Sequence, residues 1–169
     1  MNPDALPPIH KLYTQEDAFA LRESLRGSGG RTVLTNGCFD LLHPGHVYFL
    51  QEAAKQGIQL WVALNGDESV RSLKGPTRPI LPEKFRAYAL AALDCVYGIF
   101  LFQTPRLDNE IRRFRPDVYV KAGDYTMESL AASEREALQE AGSEIRFLPF
   151  LEGFSTTGLI AKISAAQSL

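Results

Sequence analysis

The sequence predicts an α/β fold: a Rossmann-like, doubly wound, five-stranded parallel sheet with helices on both faces. Short apolar runs rich in β-branched residues alternate with segments whose apolar residues recur at helical spacing, and glycine or proline separates most of them. Strands that alternate with helices form βαβ units, whose sheets are parallel. We therefore expect ligands to bind at the carboxyl ends of the strands, where the strand order reverses.

The predicted elements follow one another in a regular order. A first helix begins at Thr14, with Asp17 three residues later in the manner of a capping box, and the glycine-rich stretch from Gly27 ends it. Trp61, Phe100, Phe102, Phe147 and Phe150 lie in strand-like stretches, so we expect them in the core. The strands are predicted at 32–35, 59–64, 96–101, 118–120 and 144–148, and the further helices at 47–55, 83–93, 108–114 and 133–141, with a last helix from about 155.

Length and composition indicate one soluble domain. The chain has 169 residues, 45% of them hydrophobic and 22% charged, which is ordinary for a globular protein. A net charge of −2 gives no support for binding to nucleic acid or to an anionic membrane. No apolar run is long enough to span a membrane, no signal peptide opens the chain, and two cysteines make no disulfide framework. We expect a cytoplasmic protein with a loose leader at 1–11 and a single domain at 12–169.

The stretch 35–46, T-N-G-C-F-D-L-L-H-P-G-H, carries the strongest functional signal. It joins the end of a predicted strand to the start of a helix, where Pro44 suits the first turn. His43 and His46 are three residues apart, so they share a face of that helix. Unpaired N–H groups and the helix dipole favour an anion at this end. The pattern therefore predicts a phosphate site.

Two other interpretations of this stretch are less well supported. Zinc could bind Cys38 with the two histidines, but a structural zinc site needs four protein ligands and a catalytic one usually three. The other obvious ligands, His10 and Cys95, stand at no recognisable spacing. A purely structural role, with one histidine capping the helix, is also possible, and the phosphate interpretation leads.

N-G-C-F-D-L-L-H-P-G-H resembles the first signature of the H-x-G-H nucleotidyltransferase superfamily, also described as cytidylyltransferase-like. Within it, the chain is most similar to the heptose 1-phosphate adenylyltransferase domain. The resemblance runs from about 12 to 163 and includes three further motifs in order. These are L-K-G-P-T-R-P at 73–79, V-K-A-G-D-Y at 120–125 and S-T-T at 155–157.

Nucleotidyl transfer needs an acceptor phosphate to attack the α-phosphorus of a nucleoside triphosphate while pyrophosphate leaves. Catalysis is then positioning and stabilisation of charge on oxygen, without a covalent enzyme intermediate. The resemblance implies that His43 and His46 contact the phosphates, with His46 near the α-phosphate. It also implies that Lys74 closes over them, so these three are the expected catalytic residues.

The resemblance further implies a nucleotide-binding set around the same loop and the two later motifs. Where the family usually has two glycines after Lys121, this chain has Ala122, which leaves the base contacts open. Hydroxyls at 155–157 serve equally well as helix caps or as anion ligands. The expected nucleotide-binding residues are Asn36, Gly37, Cys38, Phe39, Gly45, Lys121, Gly123, Asp124, Ser155, Thr156 and Thr157.

An acceptor-binding set is expected from polar residues beside the same motifs. Asp40 equally suits a simple turn, and a helical arginine such as Arg86 is ordinarily solvated. The family often has an acidic run where this chain has L-F-Q-T-P at 101–105, which leaves the acceptor sugar open. Magnesium is expected to travel with ATP, held mainly by phosphate oxygens and water. The expected acceptor-binding residues are Asp40, Asn65, Asp67, Arg78 and Arg86.

The sequence thus predicts an enzyme that transfers AMP from ATP to a sugar 1-phosphate, with heptose 1-phosphate first among the acceptors. One alternative is a glycerol-3-phosphate cytidylyltransferase using CTP, although that family carries an arginine shortly before S-T-T and lacks a K-G-G-D-Y-like element. Another is a noncatalytic nucleotide-binding module. A dinucleotide oxidoreductase is disfavoured because no G-x-G-x-x-G follows the first strand. The resemblance also implies a possible homodimer, and a separate kinase to supply the sugar phosphate.

Overall fold

The fold is a six-stranded, all-parallel sheet with helices on both faces. The computed structural model describes residues 6–26, 29–123, 125–149 and 151–166. The strand order is β1-β4-β3-β2-β5-β6, so the predicted parallel sheet is confirmed and the predicted count of five strands is wrong. The strands are β1 (Leu12–Tyr13), β2 (Thr32–Gly37), β3 (Gln59–Asn65), β4 (Gly98–Phe102), β5 (Val118–Ala122) and β6 (Glu144–Leu148).

The additional strand, β1, lies at an edge of the sheet. Leu12 pairs with Ile99 of β4, whose N–H donates to the Lys11 carbonyl at 2.7 Å. Lys11, assigned to the loose leader from the sequence, also donates from Nζ to the Leu93 carbonyl at 2.8 Å. Two residues give no alternation of apolar and polar side chains to detect, so the sequence pattern could not reveal this strand.

The helices divide between the two faces because successive strand residues point to opposite sides. Leu34 and Trp61 face a core formed with α1, α5 and α6, whereas Val33 and Val62 face one formed with α2 and α4. None of the helices among the described residues has the length and apolar character that a membrane span requires. The helices are α1 (Gln15–Leu25), α2 (Pro44–Ala54), α3 (Asp67–Lys74), α4 (Glu83–Ala91), α5 (Asp108–Phe114), α6 (Ala132–Ala141) and α7 (Thr156–Ala166).

Local signals set several of these boundaries as predicted. Thr14 caps α1, since its hydroxyl oxygen accepts a hydrogen bond from the Asp17 N–H at 3.1 Å. Gly142 ends α6 in the left-handed conformation, at φ 70°. Phe150, which the sequence predicts to lie in the core, is outside the described residues, as are residues 1–5 of the predicted leader at 1–11.

The strand order reverses beside β2, which has β3 on one side and β5 on the other. The chain runs outward from β2 through β3 to β4, and then returns to place β5 and β6 on the other side. In open parallel sheets, ligands bind outside the carboxyl ends of the strands at such a point. The ends of β2 and β5 carry the polar residues Asn36 and Lys121.

Candidate active site

A cleft of about 790 Å³ opens at the carboxyl ends of β2 and β5. Its walls come from loops that follow four of the strands and from the start of α7. Of the residues predicted for the site, the cleft brings together Asn36, Gly37, Cys38, Phe39, Asp40, His43, Gly45, His46, Asn65, Lys74, Arg78, Lys121, Ser155, Thr156 and Thr157.

The two histidines form a stacked pair at the start of α2. Their ring centroids are 3.8 Å apart, and the ring planes differ by 18°. His43 is the N-cap, and its Nδ1 accepts a hydrogen bond from the His46 backbone N–H at 3.3 Å. Because Nδ1 is an acceptor, the neutral His43 ring carries its proton on Nε2.

Burial keeps both imidazoles neutral. It lowers the pKa of His43, and burial together with the neighbouring His43 ring lowers the pKa of His46 to about 4. Nδ1 of His46 is buried and has no hydrogen-bond partner among the described residues. At neutral pH the pair is therefore uncharged, and His43 has its Nε2–H as a donor.

Two glycines allow the chain to pack tightly around this pair. A Cβ on Gly37 would lie 2.9 Å from the Phe39 ring, and one on Gly45 would lie 3.1 Å from both the His43 ring and the Phe154 Cβ. Phe39 itself adopts a positive φ of 43°, and its ring lies 5.3 Å from that of His46. The spacing of the motif therefore reflects tight packing of the loop around the histidine pair.

Asp40 fixes the loop that follows α3. Its carboxylate accepts hydrogen bonds from Arg78 Nε at 2.6 Å and from the N–H groups of Ile80 and Leu81 at 2.8 and 2.9 Å. Burial alone would raise the pKa of Asp40, but the hydrogen bonds from Leu81, Ile80 and Arg78 outweigh it and lower the pKa. Asp40 is thus fully engaged, whereas the two terminal nitrogens of Arg78 make no hydrogen bond with the described residues and adjoin the cleft.

Arg86 and Asp67 lie behind the cleft and do not line it. The Arg86 side chain is fully buried and donates to the carbonyls of Cys38 and Asn65 at 2.6 and 2.7 Å. It also donates to Asp67 Oδ1 at 2.7 Å. The two residues therefore support the loops that follow β2 and β3, and the structure does not bring them into the cleft lining with the other residues expected to bind the acceptor. The pattern of an amphipathic helix could not distinguish a solvated arginine from this buried one.

Asn36 is oriented by two donors at the end of β5. Its Oδ1 accepts hydrogen bonds from the Tyr119 hydroxyl at 2.7 Å and from Lys121 Nζ at 2.6 Å. Burial lowers the pKa of Lys121, and the nearby Glu134 carboxylate acts in the opposite direction. With Oδ1 occupied, the amide nitrogen of Asn36 remains available to a ligand in the cleft.

The start of α7 combines a cap with two unoccupied hydroxyls. Ser155 Oγ accepts a hydrogen bond from the Gly158 N–H at 3.0 Å, so the capping interpretation holds for this residue. The hydroxyls of Thr156 and Thr157 make no hydrogen bond with the described residues, and both residues line the cleft. Lys74, at the end of α3, is exposed and lines the same cleft. It makes no ion pair with the described residues.

Part of the predicted nucleotide contact is elsewhere or undescribed. Gly123 adopts a positive φ of 72° and donates its N–H to the Leu148 carbonyl at 2.6 Å, outside the cleft lining. Asp124 lies outside the described residues. Sequence reasoning missed Arg106 and Glu134, which do line the cleft. No local pattern marks them, because the β4–α5 loop and α6 reach the cleft only through the tertiary fold.

The zinc interpretation concerns Cys38, His43 and His46, and the described residues bear on it in two ways. They contain no group of three or more His, Cys, Asp or Glu side chains placed to hold a metal ion. Burial raises the pKa of the Cys38 thiol, which disfavours the thiolate that binds zinc.

Comparisons with known proteins identify a family and several relatives. The family model for cytidylyltransferase-like proteins matches residues 34–165. The bifunctional protein HldE of Methylococcus capsulatus is 49% identical over 141 residues, which cover 82% of this chain and 29% of that protein. The HldE of Hydrogenovibrio crunogenus is 42% identical over 154 residues, which cover 91% of this chain and 32% of that protein.

Solved structures share the fold. The lipopolysaccharide core biosynthesis protein from Thermoplasma volcanium superposes with a TM-score of 0.59 at 23% identity, covering 73% of this chain and 98% of that one. Pantoate-beta-alanine ligase from Francisella tularensis gives a TM-score of 0.57 at 13% identity, covering 90% of this chain and 76% of that one.

The resemblance noted from the motifs is confirmed by these matches, although the chain spans only about a third of the length of the curated relatives described above. The family model covers both histidines, the S-T-T segment and every strand from β3 onward. The chain belongs to the cytidylyltransferase-like family.

Proposed function

We propose that this chain transfers the adenylyl group of ATP to heptose 1-phosphate and releases pyrophosphate. The observation that carries the proposal is the convergence of phosphate-binding groups on one cleft. The stacked histidine pair at the start of α2, the free ammonium of Lys74 and the free hydroxyls of Thr156 and Thr157 all face it. The HldE relatives support the choice of a heptose phosphate as acceptor.

In the proposed reaction a phosphate oxygen of the acceptor attacks the α-phosphorus of ATP in line. A P–O bond forms there, while the bond from the α-phosphorus to the oxygen bridging to the β-phosphate breaks, so that pyrophosphate leaves with that electron pair. No side chain needs to become covalently attached. The protein accelerates the step by holding both phosphates in register and by stabilising charge on the α-phosphate oxygens.

We assign roles to the cleft residues within that scheme. His46 donates a hydrogen bond to the α-phosphate, and His43 donates from Nε2 farther along the triphosphate. Both act as neutral donors, since burial lowers the pKa of each ring. The N-termini of α2 and α7 add their own N–H groups. Lys74 supplies a mobile positive charge at the rim.

Arg78 is suited to the acceptor phosphate. Asp40 holds its Nε, so the guanidinium is presented with both terminal nitrogens available. A guanidinium fixed in this way can bind a phosphate through two parallel hydrogen bonds. Asn65 also lines the cleft, but its amide nitrogen already donates to Ser69 Oγ at 2.9 Å. We therefore give Asn65 a smaller part than Arg78 in binding the acceptor.

Magnesium would enter with the nucleotide, held mainly by phosphate oxygens and water. The carboxylates nearest the histidine loop fit this arrangement, because Asp40 and Asp67 are already engaged by Arg78 and Arg86. When bound, the ion supplies charge neutralisation for the triphosphate.

The test is pyrophosphate release from purified protein with ATP or CTP against three acceptors: heptose 1-phosphate, other hexose 1-phosphates and glycerol 3-phosphate. We expect turnover with ATP and heptose 1-phosphate to exceed all other pairs. Turnover with CTP and glycerol 3-phosphate alone would establish the cytidylyltransferase alternative. Nucleotide binding without release of pyrophosphate in any pair would identify a noncatalytic binding module.

A further inference from the structure

Glu134 is an acidic residue in a cleft whose other polar groups are mainly cations and hydrogen-bond donors. It lies in the first turn of α6, lines the cleft and is only 5% exposed. Neither the motifs nor the proposed phosphate chemistry uses it. A buried carboxylate is costly unless its oxygens receive hydrogen bonds, so its partners indicate its role.

One oxygen of Glu134 has a structural partner. Oε1 accepts a hydrogen bond from the backbone N–H of Leu107, the N-cap of α5, at 3.0 Å. A glutamine would accept that bond equally well without burying a charge. The link to α5 therefore explains an acceptor at this position but does not explain a carboxylate.

The second oxygen has no protein partner. Oε2 accepts no hydrogen bond from the described residues. The described residues have several fully buried polar atoms without a partner, and Oε2 is not one of them. Since Glu134 lines the cleft, this oxygen is accessible from it. Lys121 lies near enough to both Glu134 and Arg106 to interact electrostatically with each, so cationic side chains stand beside the carboxylate in the cleft.

We propose that Glu134 is a specificity-determining residue that accepts a hydrogen bond from a sugar hydroxyl of a bound substrate. A carboxylate repels phosphate and can only accept hydrogen bonds when ionised, so its complement is a donor such as a hydroxyl. The cleft then has two chemically distinct parts. The histidine pair, Lys74 and the start of α7 bind the phosphates of the substrates. Glu134 binds a hydroxyl of a substrate sugar.

This inference rests on the proposed function for the sugar 1-phosphate acceptor, but the ribose of the nucleotide offers the same hydroxyl chemistry. The experiment therefore has two arms, each comparing wild type with Glu134→Gln. This substitution retains an acceptor for the Leu107 N–H and removes the charge, so the fold should be preserved. Glu136→Gln, on the exposed side of the same helix, is the matched control for loss of one negative charge.

In the nucleotide arm, calorimetry measures the binding of ATP, 2′-deoxy-ATP and 3′-deoxy-ATP, which requires no turnover. In the acceptor arm, kcat/KM is measured for heptose 1-phosphate and its singly deoxygenated analogues. A charge-assisted hydrogen bond typically makes a difference of tenfold or more. We expect wild type and Glu136→Gln to discriminate against one deoxy substrate by about tenfold, and Glu134→Gln to lose that discrimination.

Loss of discrimination in either arm supports the proposal and identifies which hydroxyl is bound. Equal discrimination by wild type and Glu134→Gln in both arms would overturn it. If wild type turns over no sugar 1-phosphate, the proposed acceptor is wrong. The nucleotide arm alone then decides the role of Glu134, and an unchanged preference there overturns the proposal. Failure of the acceptor assignment is thus distinguishable from failure of this inference.

Discussion

The floor and the rim of the cleft use polar side chains in opposite ways. On the floor, the Oδ1 of Asn36, the carboxylate of Asp40 and the buried guanidinium of Arg86 behind them are matched to other protein groups. On the rim, Lys74 and Thr156 have no such partners in the described part of the chain. Buried polar groups need hydrogen-bond partners within the protein, whereas exposed polar groups can bond to water until a ligand binds. The floor therefore fixes the shape of the cleft, and the rim leaves polar groups open to it.

The histidine pair stands at the boundary between these regions, and we expect its loss to have the largest effect. His46→Ala should fold normally and lose turnover by on the order of a hundredfold or more, because a preorganised donor to the transition state is removed. Initial rates of pyrophosphate release, with circular dichroism as a check on folding, measure this. Activity within a few-fold of wild type in a folded variant would refute the assignment.

A floor residue should affect stability first. Asp40→Asn leaves the partly buried Arg78 without its counter-charge and weakens the acceptor for two backbone N–H groups, so we expect a loss of about 2 kcal/mol in the free energy of unfolding. The pKa of Asp40 is lowered by folding, so its contribution is present above the unfolded pKa of about 4 and is lost as the pH falls through the folded value. Asp40→Asn should therefore be less sensitive to acid than wild type.

Denaturant unfolding at pH 7 and pH 3 tests both statements about Asp40. Glu68→Gln is a suitable control, since Glu68 pairs with Arg71 on the exposed surface of α3 and exposed pairs contribute little. Asp40→Asn behaving like Glu68→Gln would mean that the Asp40 network does not hold the loop.

The comparison also shows how far the sequence could predict this molecule. Local signals were sufficient for the Thr14 cap and for the histidine pair at a helix start, because each depends on residues within one or two turns. The parallel sheet followed from the alternation of strands and helices, each of which has its own local pattern. The Arg86 interactions join positions 48 residues apart, from Cys38 to Arg86. Glu134 meets Leu107 across 27 residues. Such contacts form only when the sheet has assembled, so the spacing of residues in the sequence cannot predict them.

At the rim, adjacent residues should separate stability from binding. Ser155→Ala removes the hydroxyl that accepts the Gly158 N–H, and we expect about 1 kcal/mol of lost stability. Thr156→Ala removes a hydroxyl with no protein partner, so stability should hold while KM for the nucleotide rises several-fold. Thermal melts and steady-state kinetics on both variants test the pair. The reverse assignment of effects would show that Thr156 is the cap and Ser155 the ligand.

The smallest expected effect concerns the charge of the histidine pair at neutral pH. The pKa of His46 is lowered to about 4 by burial and by His43, so its ring should stay neutral throughout the range from pH 8 to pH 5. Below about pH 6.5 the histidine is protonated in the unfolded chain but stays neutral as His46 in the folded protein. The free energy of unfolding should therefore decline from there toward pH 4. NMR titration of the ring protons, assigned with His46→Gln, measures this directly and avoids the titration of the substrate phosphates. A midpoint near 6.5 in the free protein would show that the pair carries positive charge near neutral pH, and that phosphate is bound by an ion pair rather than by neutral donors.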